Sequence, residues 1–411
     1  MSKVVGSRNS IAFIFITVAL DAIGLGIIIP VLPDLMKEVN DVDIGGAALW
    51  GGLLATSYAV TQFLFGPLLG SLSDRYGRRP VLLIGLLMLC IDYLIMGYAA
   101  TIWLLLVGRL LSGAAGSTFV TANAVIADIT PPEKRASSFG MVGAAFGVGF
   151  ILGPVIGGLL GEFGTRAPFF AAAALTLLNF FYGYFVLPET LSEKNRRSFS
   201  WKKANPLSAL LMVKQFPALG WIFVGLFLFN IGHYAYPAVW SYWGQEVFGW
   251  TSFDIGVSLA AVGVGFALVQ GGLIRWAMPR FGETRTAVFS FAAMILSFFL
   301  MSLVQVPWQV FALLPIVSLG AMVTPAMSGI MSNIVADDEL GMLQGVIAGL
   351  AAIASIISPL FMTGLFFRYT RDDAAFRFPG APYLAAALLC LAASILFMRG
   401  VRRAGAVDNA R

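Results

Sequence analysis

The sequence predicts an all-α membrane protein of twelve transmembrane helices, arranged as two pseudo-symmetric six-helix bundles. Three observations predict it: successive apolar runs of about twenty residues, a lopsided distribution of basic residues between alternate loops, and an internal repeat at a constant offset of 205 residues. The 411-residue chain is 59% hydrophobic and 11% charged, and about twenty apolar residues at 1.5 Å rise cross a hydrocarbon core of about 30 Å. Hydropathy and helix breakers place spans at 10–32, 46–68, 80–99, 102–127, 137–160, 167–187, 217–239, 255–277, 286–304, 307–331, 342–367 and 382–399. The first run follows Lys3 and Arg8 as a secretory leader would. It is too long for one, however, holds Asp21 and lacks a small-residue cleavage site.

Twelve spans put both termini on one side. With that side cytoplasmic, its loops and tails carry twenty of the 26 Lys and Arg. The opposite loops carry five, Lys37, Arg166, Arg368, Arg371 and Arg377, and Arg109 lies inside a span. This is the positive-inside pattern, so the net charge of +5 reflects topology and not nucleic-acid binding. Cys90 and Cys390 both fall in apolar spans, which excludes a disulfide framework and a thiolate metal site. One histidine and no clustered cysteines leave no nucleophile and base, or metal centre, for a membrane enzyme.

The longest polar interruption, Pro188 to Pro217, holds six Lys or Arg and divides the spans six and six. It defines bundles at 1–187 and 217–411 joined by a cytoplasmic linker at 188–216. Within the linker, Trp201, Leu207, Leu210 and Leu211 beside Lys202 and Lys203 suit a short helix lying on the anionic inner leaflet, or a plain flexible connection. The halves are related: Gly51, Leu54, Ala55, Arg75 and Gly77 match Gly256, Leu259, Ala260, Arg280 and Gly282, and Gly140 and Pro154 match Gly345 and Pro359, each 205 residues on. Duplicated bundles around a midplane site are the build of many secondary transporters.

Asp21, Asp92, Arg109 and His233 are the ionisable residues well inside spans, and such residues mark function by default. Counted from the ends of their spans, Asp21 and Arg109 lie at similar depths, so they form either a static ion pair or a pair in which Asp21 exchanges its partner for a proton as Arg109 moves. Asp92 is a second candidate for the proton, or a helix-packing hydrogen-bonder. His233 belongs either to an interfacial aromatic cluster with Tyr234, Tyr236 and Trp240 or, if the helix breaks near Pro237, to an outer gate. Tyr58, Tyr93, Tyr236 and Phe266, with Gln62, Asn123, Gln270 and His233, suit a cavity for a flat, amphipathic small molecule.

The stretch GSLSDRYGRRP, Gly70 to Pro80, places four charges within six residues of a charge-poor chain. Gly70 allows close helix approach, Gly77 permits a tight turn, and Asp74 accepts from an arginine or a helix N-terminus. The pattern Gly-x-x-x-Asp-Arg-x-Gly-Arg-Arg resembles the signature of the major facilitator superfamily at every position. The resemblance implies a cytoplasmic latch built of Gly70, Asp74, Arg75, Gly77, Arg78 and Arg79, closed in one transport state and broken in the other. The second-half copy has Pro279 where Asp74 would fall, which predicts an asymmetric latch. In the glycine-rich fifth span, Gly149, Gly153, Pro154, Gly157 and Gly158 resemble the motif of the antiporter branch, although small residues also serve backbone-to-backbone packing.

Over nearly its whole length the chain is similar to the tetracycline-efflux family, through LDAIGLGIIIPVLP, GRRPVLLIGLLMLCIDYL, GRLLSGAAGS, IAD (Ile126 to Asp128) and LQG (Leu343 to Gly345). This resemblance implies a monomeric antiporter of a bacterial inner membrane that exports a hydrophobic, tetracycline-like drug by alternating access, with the proton as coupling ion and no cofactor. It carries roles onto Asp21, Gln62, Asp92, Arg109, Asp74 and Arg78, and Gln270 matches a family glutamine. Two departures stand out: Phe266 occupies the place of a family histidine, and 286–304 contains no carboxylate where the family has an aspartate. A multidrug or metabolite antiporter of the same fold is the alternative.

Overall fold

In a computed structural model, which describes residues 7–116, 118–199 and 205–408, every regular element is helical. The first span is α1, Ser7–Ile28, bent by 50° into α2, Leu32–Asn40. Pro30 and Pro33 at the bend remove backbone donors that a continuous helix would need. Next come α3, Ile44–Tyr76, α4, Arg78–Tyr98, and a fourth span in two pieces, α5, Ile102–Ala115, and α6, Thr118–Ile129. The fifth and sixth spans are α7, Pro132–Gly161, and α8, Ala167–Val186. After the single turn α9, Ser208–Leu211, the seventh span is α10, Gly220–His233, and α11, Ala235–Phe248. It runs nine residues past its predicted end at 239, because Trp240 and Trp243 are buried and keep the helix packed until Gly249 takes φ 65° and stops it.

The eighth and ninth spans form one run from Ser252 to Leu303: α12, Ser252–Leu268, a π-helical turn, Val269–Leu273, and α13, Ile274–Leu303. Its 52 residues at 1.5 Å each reach about 78 Å, enough to cross a bilayer twice. Gly282, at φ 76° and ψ 163°, breaks it. Ten helices are long and apolar enough to span, or eleven with α1–α2 as one; splitting this run at Gly282 brings the described chain to the expected twelve. The remaining spans are α14, Pro307–Leu319, with α15, Val323–Ile334, then α16, Leu340–Thr370, and α17, Ala381–Asp408. In the linker, Trp201, Lys202 and Lys203 lie outside the described residues, as does the side chain of Leu210, while Leu207 and Leu211 are exposed.

The chain forms two compact units. One comprises 1–41, 57–206 and 251–260, the other 42–56, 207–250 and 261–411. The first unit is centred on Phe13, Ile14 and Val18 of α1 against Leu82 and Leu86 of α4 and Val125 and Ile126 of α6. The second is aromatic: Tyr236 stacks on Phe298 at 4.5 Å and Trp243 meets Tyr383 edge-on at 5.0 Å. Large apolar side chains are exposed along the spans, among them Trp103, Leu178, Phe185 and Leu268, as a surface facing lipid requires.

Candidate functional site

Glycine builds the seam on which the first unit's site is hung. A Cβ at Gly153 would lie 2.7 Å from the Ile23 carbonyl and 2.8 Å from Gly26 Cα, and one at Gly149 or Gly157 would run into the α1 backbone at Ala19 or Ile27. These residues, four apart, form one stripe of α7 that brings it against α1 backbone to backbone. Gly158 and the Pro154 carbonyl meet the start of α12 at Ser252, Phe253 and Gly256 in the same way. The expected antiporter stripe is therefore a packing surface. Gly140, Gly143 and Gly147 have nothing within 4 Å of a Cβ.

The same unit holds the intramembrane charge cluster. Arg109 of α5 is ion-paired with Asp92 of α4, whose side chain is 0% exposed, while that of Arg109 is 12% exposed. Asp21 was the partner expected at this depth, and Asp92 is a partner that depth alone did not supply. Asp92 lies six residues before the end of α4 and Arg109 seven after the start of α5, so two antiparallel neighbours bring them to one depth across a short turn. Gly108 makes room, since a Cβ there would come within 2.7 Å of Asp92 Oδ1. The guanidinium also lies 5.7 Å from the centre of the Tyr58 ring, a cation–π distance.

Asp21, partly exposed on α1, belongs to the same cluster, since it acts electrostatically on both the Tyr58 and the Tyr93 hydroxyls, as do Asp92 and Arg109. Tyr93, expected in a cavity wall, is fully buried, with its hydroxyl where a Gly24 side chain would be. Gln62 is exposed and donates at 3.2 Å to the Tyr58 hydroxyl and to the Gly116 carbonyl. That carbonyl belongs to the break between α5 and α6, and Gln62 supplies a hydrogen bond that a broken helix in lipid must find elsewhere. Asn123 is partly buried on α6.

In the second unit, His233 ends α10 and is stacked on Phe229 at 5.5 Å and on Phe266 at 6.4 Å, with Tyr236 edge-on at 6.2 Å. The helix breaks at Tyr234 and not at Pro237, which sits in the first turn of α11, where a missing N–H costs little. Tyr236 is buried in the aromatic core and its hydroxyl lies 3.4 Å from Ser297 Oγ. Gln270 is exposed and sits in the π-helical turn, a distortion frequent at functional sites. The residues expected to form the cavity thus fall into two sets, Tyr58, Gln62, Tyr93 and Asn123 in the first unit and His233, Tyr236, Phe266 and Gln270 in the second.

The charged turn between α3 and α4 is a network around Arg78. Its guanidinium bonds Asp74 at 2.6 Å, Asp128 of α6 at 3.0 Å and Ser73 Oγ at 3.1 Å. Burial opposes the charge, but the hydrogen bonds of Asp128 and Asp74 outweigh it and raise the Arg78 pKa above its ordinary value. Gly77 takes φ 111°, and the Glu189 carboxylate occupies the space a side chain would need. Glu189 accepts from the backbone N–H of Arg78 at 2.9 Å and Arg79 at 3.2 Å, capping α4 at its positive end. Arg79 donates to the Tyr184 carbonyl at 2.6 Å, Arg75 is exposed over the Tyr76 ring, and the Arg197 N–H bonds the Asp74 carbonyl at 3.0 Å.

Gly70 does not mediate close helix approach here, since a Cβ at that position has no neighbour within 4 Å. Ser73, Asp128 and Glu189 had no expected role. A carboxylate in the last turn of the fourth span, and another just after the sixth, were the available signals.

A profile of the Major Facilitator Superfamily matches residues 14–317. Tetracycline resistance protein, class C, of Escherichia coli is 38% identical over 360 residues, covering 88% of this chain and 90% of that protein. Multidrug resistance protein 2 of Bacillus subtilis (strain 168) is 28% identical over 371 residues, covering 87% and 89%. Among solved structures, the human organic anion transporter MFSD10 (TETRAN) superposes with a TM-score of 0.70 at 24% identity over 95% of this chain and 99% of that one, a likeness of fold.

Proposed function

The chain belongs to the major facilitator superfamily, and from that premise we propose that it exports a hydrophobic, tetracycline-like drug in exchange for protons by alternating access. The supporting observation is the Asp92–Arg109 pair, a fully buried carboxylate and an arginine inside spans, grouped with Asp21 around Tyr58 and Tyr93. Buried charges are costly there and are retained where they move ions or substrate.

Asp21 is the proton carrier in this reading, because it is partly exposed and reachable, whereas Asp92 is sealed against Arg109. Protonating Asp21 removes a negative charge from the cluster, weakening its hold on Arg109 and Tyr58 and changing the site's affinity for drug. Proton and drug therefore compete, as antiport demands. Bundles at 1–187 and 217–411 rock about the 188–216 linker, with Asp74 and Arg78 in the latch. The protein acts as a monomer in a bacterial inner membrane, both termini cytoplasmic as the positive-inside pattern directs, and needs no cofactor.

A multidrug exporter is the second reading, favoured by Phe266, which stacks on His233 where a polar contact to substrate would otherwise stand. Expression in a drug-hypersensitive host decides between them. Resistance to tetracycline rising more than resistance to unrelated cationic dyes supports the first reading, and the reverse order supports the second.

A further inference from the structure

The 205-residue repeat predicts more than matched glycines. Gly77 and Gly282, related by that offset, share an unusual backbone, φ 111° and ψ 160° at one and φ 76° and ψ 163° at the other. Each is followed by a charged residue, Arg78 in the first repeat and Glu283 in the second. Arg78 reaches Asp128 near the end of α6, Nε to Oδ2 3.0 Å. Glu283 Oε2 accepts from Nδ2 of Asn333 near the end of α15 at 2.9 Å. Asp128 and Asn333 are themselves 205 residues apart.

Two residues unlike in type thus meet two partners unlike in type, at the same four positions of the frame. A casual surface hydrogen bond has no reason to respect it. Gly329, one turn before Asn333, leaves the space the Glu283 carboxylate occupies, since a Cβ there would clash with it. The bond stands on the wall of a cavity of about 550 Å³ that Gln215, Thr284 and Glu339 also line. It can break into solvent without stranding a charge in hydrocarbon.

We propose that Glu283 and Asn333 are the second-half counterpart of the Arg78–Asp128 contact, a latch of reversed polarity in which a carboxylate follows the glycine and an amide donates from the partner helix. The pair positions the break at Gly282 against the end of α15, as Arg78 positions the break at Gly77 against the end of α6. Glu283 is a positioning residue and touches no substrate. Pro279 at the place of Asp74 removes one arm of the latch but leaves the contact between helices. Because a neutral amide replaces a guanidinium, this contact is the weaker of the two. Its role in transport rests on the proposed antiport.

The test is a rescue. Tetracycline uptake into inverted membrane vesicles, drug binding to purified protein, and hydrogen–deuterium exchange over 280–286 and 328–335 are measured for Glu283→Gln, Asn333→Asp and the double variant Glu283→Arg/Asn333→Asp. Asn333→Asp sets a carboxylate against a carboxylate. It should lower the maximal uptake rate about tenfold, leave drug affinity within about twofold, and speed exchange in both segments. Glu283→Gln should do the same about threefold. The double variant rebuilds the arginine–aspartate pair of the first repeat and should return rate and exchange to within about twofold of the parent.

Parental uptake by Asn333→Asp, a double variant no better than the worse single one, or binding lost in step with transport would each overturn the proposal. A parent that does not move tetracycline defeats the proposed substrate instead. Exchange in the two segments still decides the latch, since unchanged exchange in Asn333→Asp refutes it.

Discussion

Replacing Asp92 with asparagine isolates the charge in the intramembrane pair while keeping the shape and a hydrogen-bond acceptor. Arg109 would then keep a positive charge inside a span with its side chain only 12% exposed. Removing one partner of a buried ion pair costs about 3–5 kcal/mol. The residual exposure and the Tyr58 ring 5.7 Å away, a contact worth about 0.5–2 kcal/mol, place the expectation at the low end. About 3 kcal/mol is roughly a 150-fold change in the folding equilibrium. Replacing both partners, as Asp92→Asn/Arg109→Gln, leaves neither member of the pair stranded and should recover at least about 2 kcal/mol of that loss, a coupling a double-mutant cycle reads directly. The assay is unfolding in mixed micelles of dodecyl maltoside and sodium dodecyl sulfate. An Asp92→Asn protein as stable as the parent, or a double variant no more stable than the worse single one, would refute the reasoning.

At the α1–α7 seam, Gly157→Ala should cost about 1–3 kcal/mol because the added methyl meets the Ile27 backbone. Gly147→Ala, with nothing within 4 Å, should be neutral or stabilising by up to about 1 kcal/mol; equal shifts in melting temperature would contradict the packing stripe. Asp74→Asn and Arg78→Ala should abolish drug uptake by vesicles while leaving binding within a few-fold, and full uptake by either removes the latch from the mechanism. Because the Arg78 pKa is raised, its charge is fully present below its unfolded-state value and so across the whole working range. Any pH dependence of uptake between about pH 5 and 8 should therefore survive Arg78→Lys, and its disappearance would contradict this.

Hydropathy located the spans because burial in lipid demands long apolar runs, and the positions of Gly77 and Gly282 were legible through the repeat. The end of the seventh span was not. Hydropathy and helix breakers ended it at 239, yet Trp240 and Trp243 on the buried face carry the helix to Phe248. Arg109 shows the sharper limit. Depth counted from span ends set it level with Asp21, which belongs to the same cluster, but depth carries no information about direction around a helix and did not bring in Asp92. The pairing with Asp92 follows from adjacency, because consecutive helices joined by a short turn are usually neighbours. Glu189, a carboxylate just after the sixth span, gave only a weak signal for another reason: its donors are the backbone N–H groups of Arg78 and Arg79, and no residue type announces a backbone donor.

Asp21 carries the central claim, and purified protein in liposomes holding a preformed pH gradient tests it. Drug added to the parent should dissipate the gradient. Asp21→Asn should insert at least as well, since a charge has left a costly site, and should still exchange labelled for unlabelled drug across the membrane while leaving the gradient intact. Drug-driven proton movement by Asp21→Asn at the parental rate would contradict the account and hand the proton to another group.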